Sequence, residues 1–104
     1  MTEWKVVARP EAKDDILEAA NWYDSQRTGV GNEFVEEILA LFDALATDPL
    51  FQSRPHPTKN IRWRYPNRFP YRVIYEVIKE QQLVVIGAVL HAARHDRMWR
   101  KRFD

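Results

Sequence analysis

Six side chains carry most of the chemistry this sequence can offer. Arg72 lies inside "RFPYRVIYEV" (68–77), His91 and Arg94 inside "HAARH" (91–95), Arg62 and Arg64 inside "IRWRY" (61–65), and Trp99 near the end of the chain. A guanidinium is a planar fork of N–H donors that stays charged at any cellular pH, so the arginines suit phosphate or carboxylate groups. An imidazole changes protonation near neutrality, so His91, and His95 beside it, suit proton transfer. In "IRWRY" the period of two puts Ile61, Trp63 and Tyr65 on one side and Arg62 with Arg64 on the other. With Arg72 these two outline a basic groove, provided that their face is not the one packed on helices. The indole of Trp99 can stack on a base or fill a core, but it has no acid–base chemistry.

Each of these residues also has a structural reading. Arg72 can pair with Glu76 or with a helix carboxylate, and His91 can be a hydrogen-bonded histidine closing an apolar strand. Arg97, Arg100, Lys101 and Arg102 can form a solvated helix face. Three histidines, His56, His91 and His95, lack ligand spacing and there is no cysteine, so no metal and no cofactor is expected.

The elements that must position these residues follow from the periodicity. "EWKVVA" alternates Trp4, Val6 and Ala8 as a first strand does, ending at Arg9. Pro10 suits the first position of a helix, and Glu11, Asp14 and Asp15 complement its positive end. Ala12, Ile16, Ala19, Ala20 and Tyr23 form its apolar stripe, and "TGVG" stops it near Arg27. A second helix carries Phe34, Ile38, Leu41, Phe42 and Leu45 on one face and ends at Asp48–Pro49. After an irregular link, "PLFQSRPHPTKN", three extended segments follow: "IRWRY", then Phe69 to Ile78 beyond the turn "PNR", then Leu83 to Leu90 beyond "KEQQ". The last is apolar on both faces, as a covered central strand is. Asp96 can cap a short final helix, "DRMWRKRF". The expected fold is therefore α+β: one domain over residues 1–104, with a strand, a helical hairpin, a three-stranded antiparallel meander and a short helix.

Composition agrees with one compact core. The chain has 104 residues, 45% hydrophobic and 12% aromatic, which is too few for two ordinary domains. The longest apolar run is too short to cross a bilayer, the first residues lack a signal peptide's apolar core, and the absence of cysteine suits a reducing cytosol, so a cytoplasmic protein without a membrane partner is expected. The net charge of +1 hides a division. Residues 1–60 hold 6 Lys/Arg against 11 Asp/Glu, while residues 61–104 hold 10 against 4. A basic second half points to an anionic partner, unless the two halves neutralise each other in the fold.

The element order, the phrases "NWYDSQRTGVGNEFVEEI" and "RFPYRVIYEV", and the ending "VIGAVLHAARHDRMWRKR" together resemble the RelE/ParE superfamily of toxins from bacterial type II toxin–antitoxin modules. The resemblance covers nearly the whole chain. It implies a small toxin held inactive by a cognate antitoxin in a hetero-oligomer. RelE-like members cut mRNA on the ribosome, whereas ParE-like members poison DNA gyrase. In the nuclease members Arg72 would stand near a phosphate-binding arginine, and Arg94 matches a second one. Cleavage of RNA through its 2′-hydroxyl needs a base, cations for the phosphoryl charge and an acid for the leaving oxygen, and His91 is the candidate base. Two departures weigh against it. Those nucleases use lysines in or beside the strand before the central arginine, whereas this strand has Arg62 and Arg64, whose guanidinium groups are too basic to exchange protons usefully; they also often end with a tyrosine or histidine near the C-terminus, where this chain places Trp99. "RFPYRVIYEV" and "VLHAARHDRMW" are closer to the ParE-like branch. The sequence thus favours a gyrase-directed toxin, in which Arg62, Arg64, Arg72, Arg94 and Trp99 bind the target, over a ribosome-dependent endoribonuclease using Arg72, His91 and Arg94. A nontoxic binding module on the same fold is the third reading.

Overall fold

The computed structural model describes residues 3–57, 59–94 and 97–103. Its elements are β1 (Lys5–Ala8), α1 (Pro10–Gln26), α2 (Val30–Thr47), β2 (Arg54–Pro55), β3 (Ile61–Arg64), β4 (Tyr71–Ile78), β5 (Leu83–His91) and α3 (Arg97–Arg100), with 3-10 turns at Lys79–Gln81 and Lys101–Phe103. The strands form one mixed sheet in the order β1-β5-β4-β3-β2, in which β1 runs parallel to β5 and the other pairs are antiparallel. The strand, hairpin and meander fall where the periodicity puts them. The sheet gains β2 from the proline-containing link, a two-residue strand too short to leave a pattern and ended by Pro55, whose missing N–H suits an edge.

The hairpin is fixed by its own side chains. Asp24, in the last turns of α1, accepts hydrogen bonds from the N–H groups of Gly29 (3.2 Å) and Gly31 (2.7 Å), and so satisfies donors at the start of α2 from outside that helix. Gly29 has φ +95°, a left-handed conformation that permits so short a connection.

Both faces of the sheet are covered. On one, Val73, Tyr75 and Val77 of β4 with Val84, Ile86 and Val89 of β5 pack under Ala12, Ala19, Phe34, Ile38, Leu41 and Leu45 of the helices. On the other, Ile61, Ile74, Ala88 and Leu90 form a second cluster closed by Trp99, which is 0% exposed. This division explains why Leu83–Leu90 is apolar throughout. Between Ile86 and Ala88 the β4–β5 register shifts by one residue, so Gly87 bulges, and a Cβ there would meet the Phe103 ring at 2.3 Å. Only glycine lets the C-terminal aromatic lie so close to the strand.

β1 pairs with β5 only as far as Ile86. Beyond it, two side chains stand in for a strand neighbour. Asp15 of α1 accepts from the Val89 N–H at 2.9 Å, while Arg102 donates to the Gly87 carbonyl at 3.2 Å and pairs with the Asp15 carboxylate at 2.5 Å. Asp15 therefore does more than complement the helix end: it joins the first helix, the bulged strand and the C-terminal turn. Asp96, the expected cap of the last helix, lies outside the described residues.

Candidate functional site

The three arginines expected to share a groove do not share a face. Arg62 and Arg64 stand opposite Tyr75 and Val73 across the β3–β4 ladder, and these two belong to the core beneath the helices. Their face is the helix-packed one, and they reach its outer margin, where an Arg62 Nη donates to Ser53 Oγ at 2.8 Å and the Arg64 guanidinium lies 5.8 Å from the Phe51 ring centroid. Arg72 stands opposite Leu90, on the face closed by Trp99. It is 6% exposed, its Nη2 donates to the Arg94 carbonyl at 2.8 Å, and its guanidinium lies 5.8 Å from the Trp63 ring centroid. The expectation of one basic groove built from Arg62, Arg64 and Arg72 is thus corrected by the register: even positions of β3 stand opposite odd positions of β4, so even-numbered residues of the two strands take opposite faces. Arg72 does a different job, holding down the turn that follows β5.

That turn carries His91 and Arg94, both exposed. It is ordered by local bonds as well: the Ala92 N–H donates to Pro70 O at 2.8 Å, the Arg94 N–H to His91 O at 2.9 Å, and the Ala93 N–H to His91 Nδ1 at 3.0 Å. The last bond makes Nδ1 an acceptor and leaves Nε2 without a partner among the described residues. His91 is the cross-strand partner of Tyr71, with ring centroids 5.4 Å apart. His91 and Arg72 therefore face opposite sides of the sheet, and the candidate base is not beside the candidate phosphate arginine. His95 lies outside the described residues.

Around His91 the structure assembles residues that the sequence pattern did not single out. Tyr71 packs against Phe34 (5.0 Å) and Tyr23 (6.1 Å), and Tyr23 against Trp22 (5.1 Å), which is 56% exposed. Burial pushes the Tyr71 phenol upward from 10.0, Arg94 opposes that shift and Glu18 adds to it, so Arg94 and Glu18 both lie within electrostatic reach of this ring. The result is an aromatic cluster at one end of the sheet, with His91 and Arg94 at its margin. The alternation of Tyr71 with Arg72 was the available signal, because it sends those two side chains to opposite faces.

Trp99 presents no ring face to solvent. It is fully buried against Ile61, Ile74, Ala88 and Leu90, edge-on to His56 (6.0 Å) and Phe103 (5.9 Å), so of its two sequence readings it takes the core one in this fold. Among the described residues, no three His, Asp or Glu side chains are grouped so as to hold a metal ion.

Residues 6–96 match the family model of the ParE toxin of the type II toxin–antitoxin system parDE. The chain belongs to that toxin family, within the RelE/ParE superfamily. Two solved structures share the fold. A chain of the chromosomal ParDE toxin–antitoxin system from P. aeruginosa is 14% identical, with a TM-score of 0.74 over 85% of this chain and 95% of that one. A chain of the RelBE2 toxin–antitoxin complex from Mycobacterium tuberculosis is 20% identical, with a TM-score of 0.63 over 86% of this chain and 99% of that one. No curated protein sequence matches the chain.

Proposed function

We propose that this ParE-family toxin arrests growth by binding DNA gyrase and that it is neutralised by a cognate antitoxin. The observation that carries the gyrase reading is the separation of the nuclease candidates: Arg72 is buried and bonded to a backbone carbonyl on one face, while Arg62, Arg64 and His91 stand on the other. Catalysis of RNA cleavage needs base, acid and phosphate-binding cation around one phosphorus, and a protein that works by binding a target does not.

The antitoxin reading is supported by the toxin–antitoxin systems among the structural neighbours and by the edges of the sheet. Among the described residues, β1 ends the sheet on one side with no strand paired to its outer edge, which suits addition of a strand; the other edge is closed by the short, proline-bearing β2.

A second reading, the ribosome-dependent endoribonuclease, is favoured by one feature: His91, Tyr71 and Arg94 lie close together. Pulse-labelling of bacteria just after induction of the protein alone separates the two. Early failure of DNA synthesis is expected; early failure of translation with DNA synthesis intact overturns the gyrase reading in favour of the nuclease, and unimpaired growth overturns both.

A further inference from the structure

The outer side of the helical hairpin carries a surface that takes no part in the site at the end of the sheet. α1 and α2 approach closely where a Cβ on Gly31 would collide with the Ala20 carbonyl oxygen. Leu17 lies about one turn from that approach on α1, and Val35 and Leu39 lie about one and two turns from it on α2. The helices of a hairpin run antiparallel, so these steps lead the same way along it. Exposure is high along them: Val35 is half-buried, Leu39 is 51% exposed and Leu17 62%. The result is an apolar seam open to solvent. Helical spacing borders it with acids, Asp14 beside Leu17, and Glu36 and Asp43 beside Leu39. All three are exposed and have no cation within ion-pair distance among the described residues.

Three observations bear on what this surface takes. First, α1 holds five acids and α2 four, against Lys13 as the one cation of the two helices, so the hairpin repels phosphate and attracts a cationic partner. Second, the C-terminal segment is the counterpart in charge. Residues 97–102 carry four cations and no acid. Trp99 is the buried residue of that turn, which leaves Met98 (46% exposed), Arg100 and Lys101 on the outside. Arg100 and Lys101 have no carboxylate within ion-pair distance among the described residues. Third, the two surfaces belong to opposite layers of the molecule, because the helices cover one face of the sheet and Trp99 closes the other. One molecule cannot bring its own seam to its own Met98.

We propose that the outer face of the hairpin docks the C-terminal turn of a second copy of this chain, with Met98 seated between Leu17 and Leu39 and the cations beside it meeting Asp14 and Glu36. Each surface has an apolar centre and a charged margin, and the margins are opposite in sign, which is the complementarity that fixes partner and register. The contact is heterologous, because it joins two different patches. Every added copy therefore presents a new seam, and association continues head to tail instead of stopping at a dimer. A four-residue helical turn covers far less than the roughly 1,200–2,000 Å² of a stable interface, so the association is weak and salt-sensitive. The proposal is independent of the gyrase reading.

The test is analytical ultracentrifugation of the purified protein from about 10 μM to about 1 mM, at low and at high salt. The weight-average mass is expected to rise with concentration past that of two copies, and to fall back to one copy at about 1 M salt. Glu36→Lys and Arg100→Glu, both on exposed side chains, should each weaken association about tenfold or more while keeping the parent's melting temperature. An equimolar mixture of the two variants discriminates most sharply. The first variant keeps the basic turn and the second keeps the acidic seam, so the mixture should associate where each alone does not. Glu80→Lys, the same reversal on the exposed β4–β5 turn, should associate as the parent does. The proposal is overturned if the parent stays a single copy throughout, if association ends at a dimer or is indifferent to salt, if Glu80→Lys weakens it as much as Glu36→Lys, or if the mixture remains dissociated.

Discussion

Tyr23, Tyr71 and Tyr75 share one physical situation: burial disfavours the phenolate and is the largest cause of an upward shift from 10.0 in all three. For Tyr75 the neutral form is further held by donation of its hydroxyl to Pro49 O at 2.6 Å, which ties the end of α2 to β4. A phenol whose folded value lies above its unfolded one contributes stability that is complete below the unfolded value and is lost as pH rises through the folded one. Stability should therefore decline from about pH 10 upward through these groups. Phenolate absorbance followed alongside chemical denaturation checks this: ionisation of these three near 10 without loss of structure would contradict it. Trp99 makes the sharpest residue-scale prediction. Trp99→Ala should cost about 3–5 kcal/mol in denaturant unfolding, because it empties the centre of the second core. Trp99→Phe should cost less, because it also removes an indole N–H that is buried without an acceptor among the described residues.

At the scale of elements, the open half of the β5 edge is stabilised by side chains and not by a strand. Asp15→Ala leaves the Val89 N–H and the Arg102 guanidinium without their acceptor, and should cost about 1–3 kcal/mol. Amide exchange should show the loss at Val89 first, and unchanged protection there would contradict the edge role. Arg72 acts at this scale too. Arg72→Ala should loosen the 91–94 turn, seen as faster exchange of the Ala92 and Arg94 amides, while β4 and β5 stay paired. Helix boundaries were legible because Pro10, the glycines at 29 and 31 and Asp48–Pro49 are strong local stops. The strand β3 was legible from its side-chain alternation, and β4 and β5 from apolar, β-branched runs bounded by turn residues. β2 was not, since two residues carry no period. The Asp15–Arg102 pair was not either, because 87 residues separate its members and no local rule joins them.

At the scale of the whole molecule, the acidic and basic halves of the chain meet, among the described residues, where Arg102 pairs with Asp15 and where Arg68 pairs with Glu37 and Glu33. The sequence showed the charge division but not its geometry. Arginines a few positions apart could be counted, yet which face each took depended on strand register, and that is why Arg72 parted from Arg62 and Arg64. The family was legible in three phrases of the sequence and is established by the match over residues 6–96. Target choice rests on the divided site.

That choice is tested most directly with purified components. DNA gyrase is incubated with plasmid and rising amounts of this protein, in parallel with ribosomes translating a defined mRNA. The account predicts inhibited supercoiling and accumulation of linear plasmid after protein removal, with the mRNA left intact. Unimpaired gyrase beside mRNA cut on the ribosome, and restoration of that mRNA by His91→Ala, would contradict it.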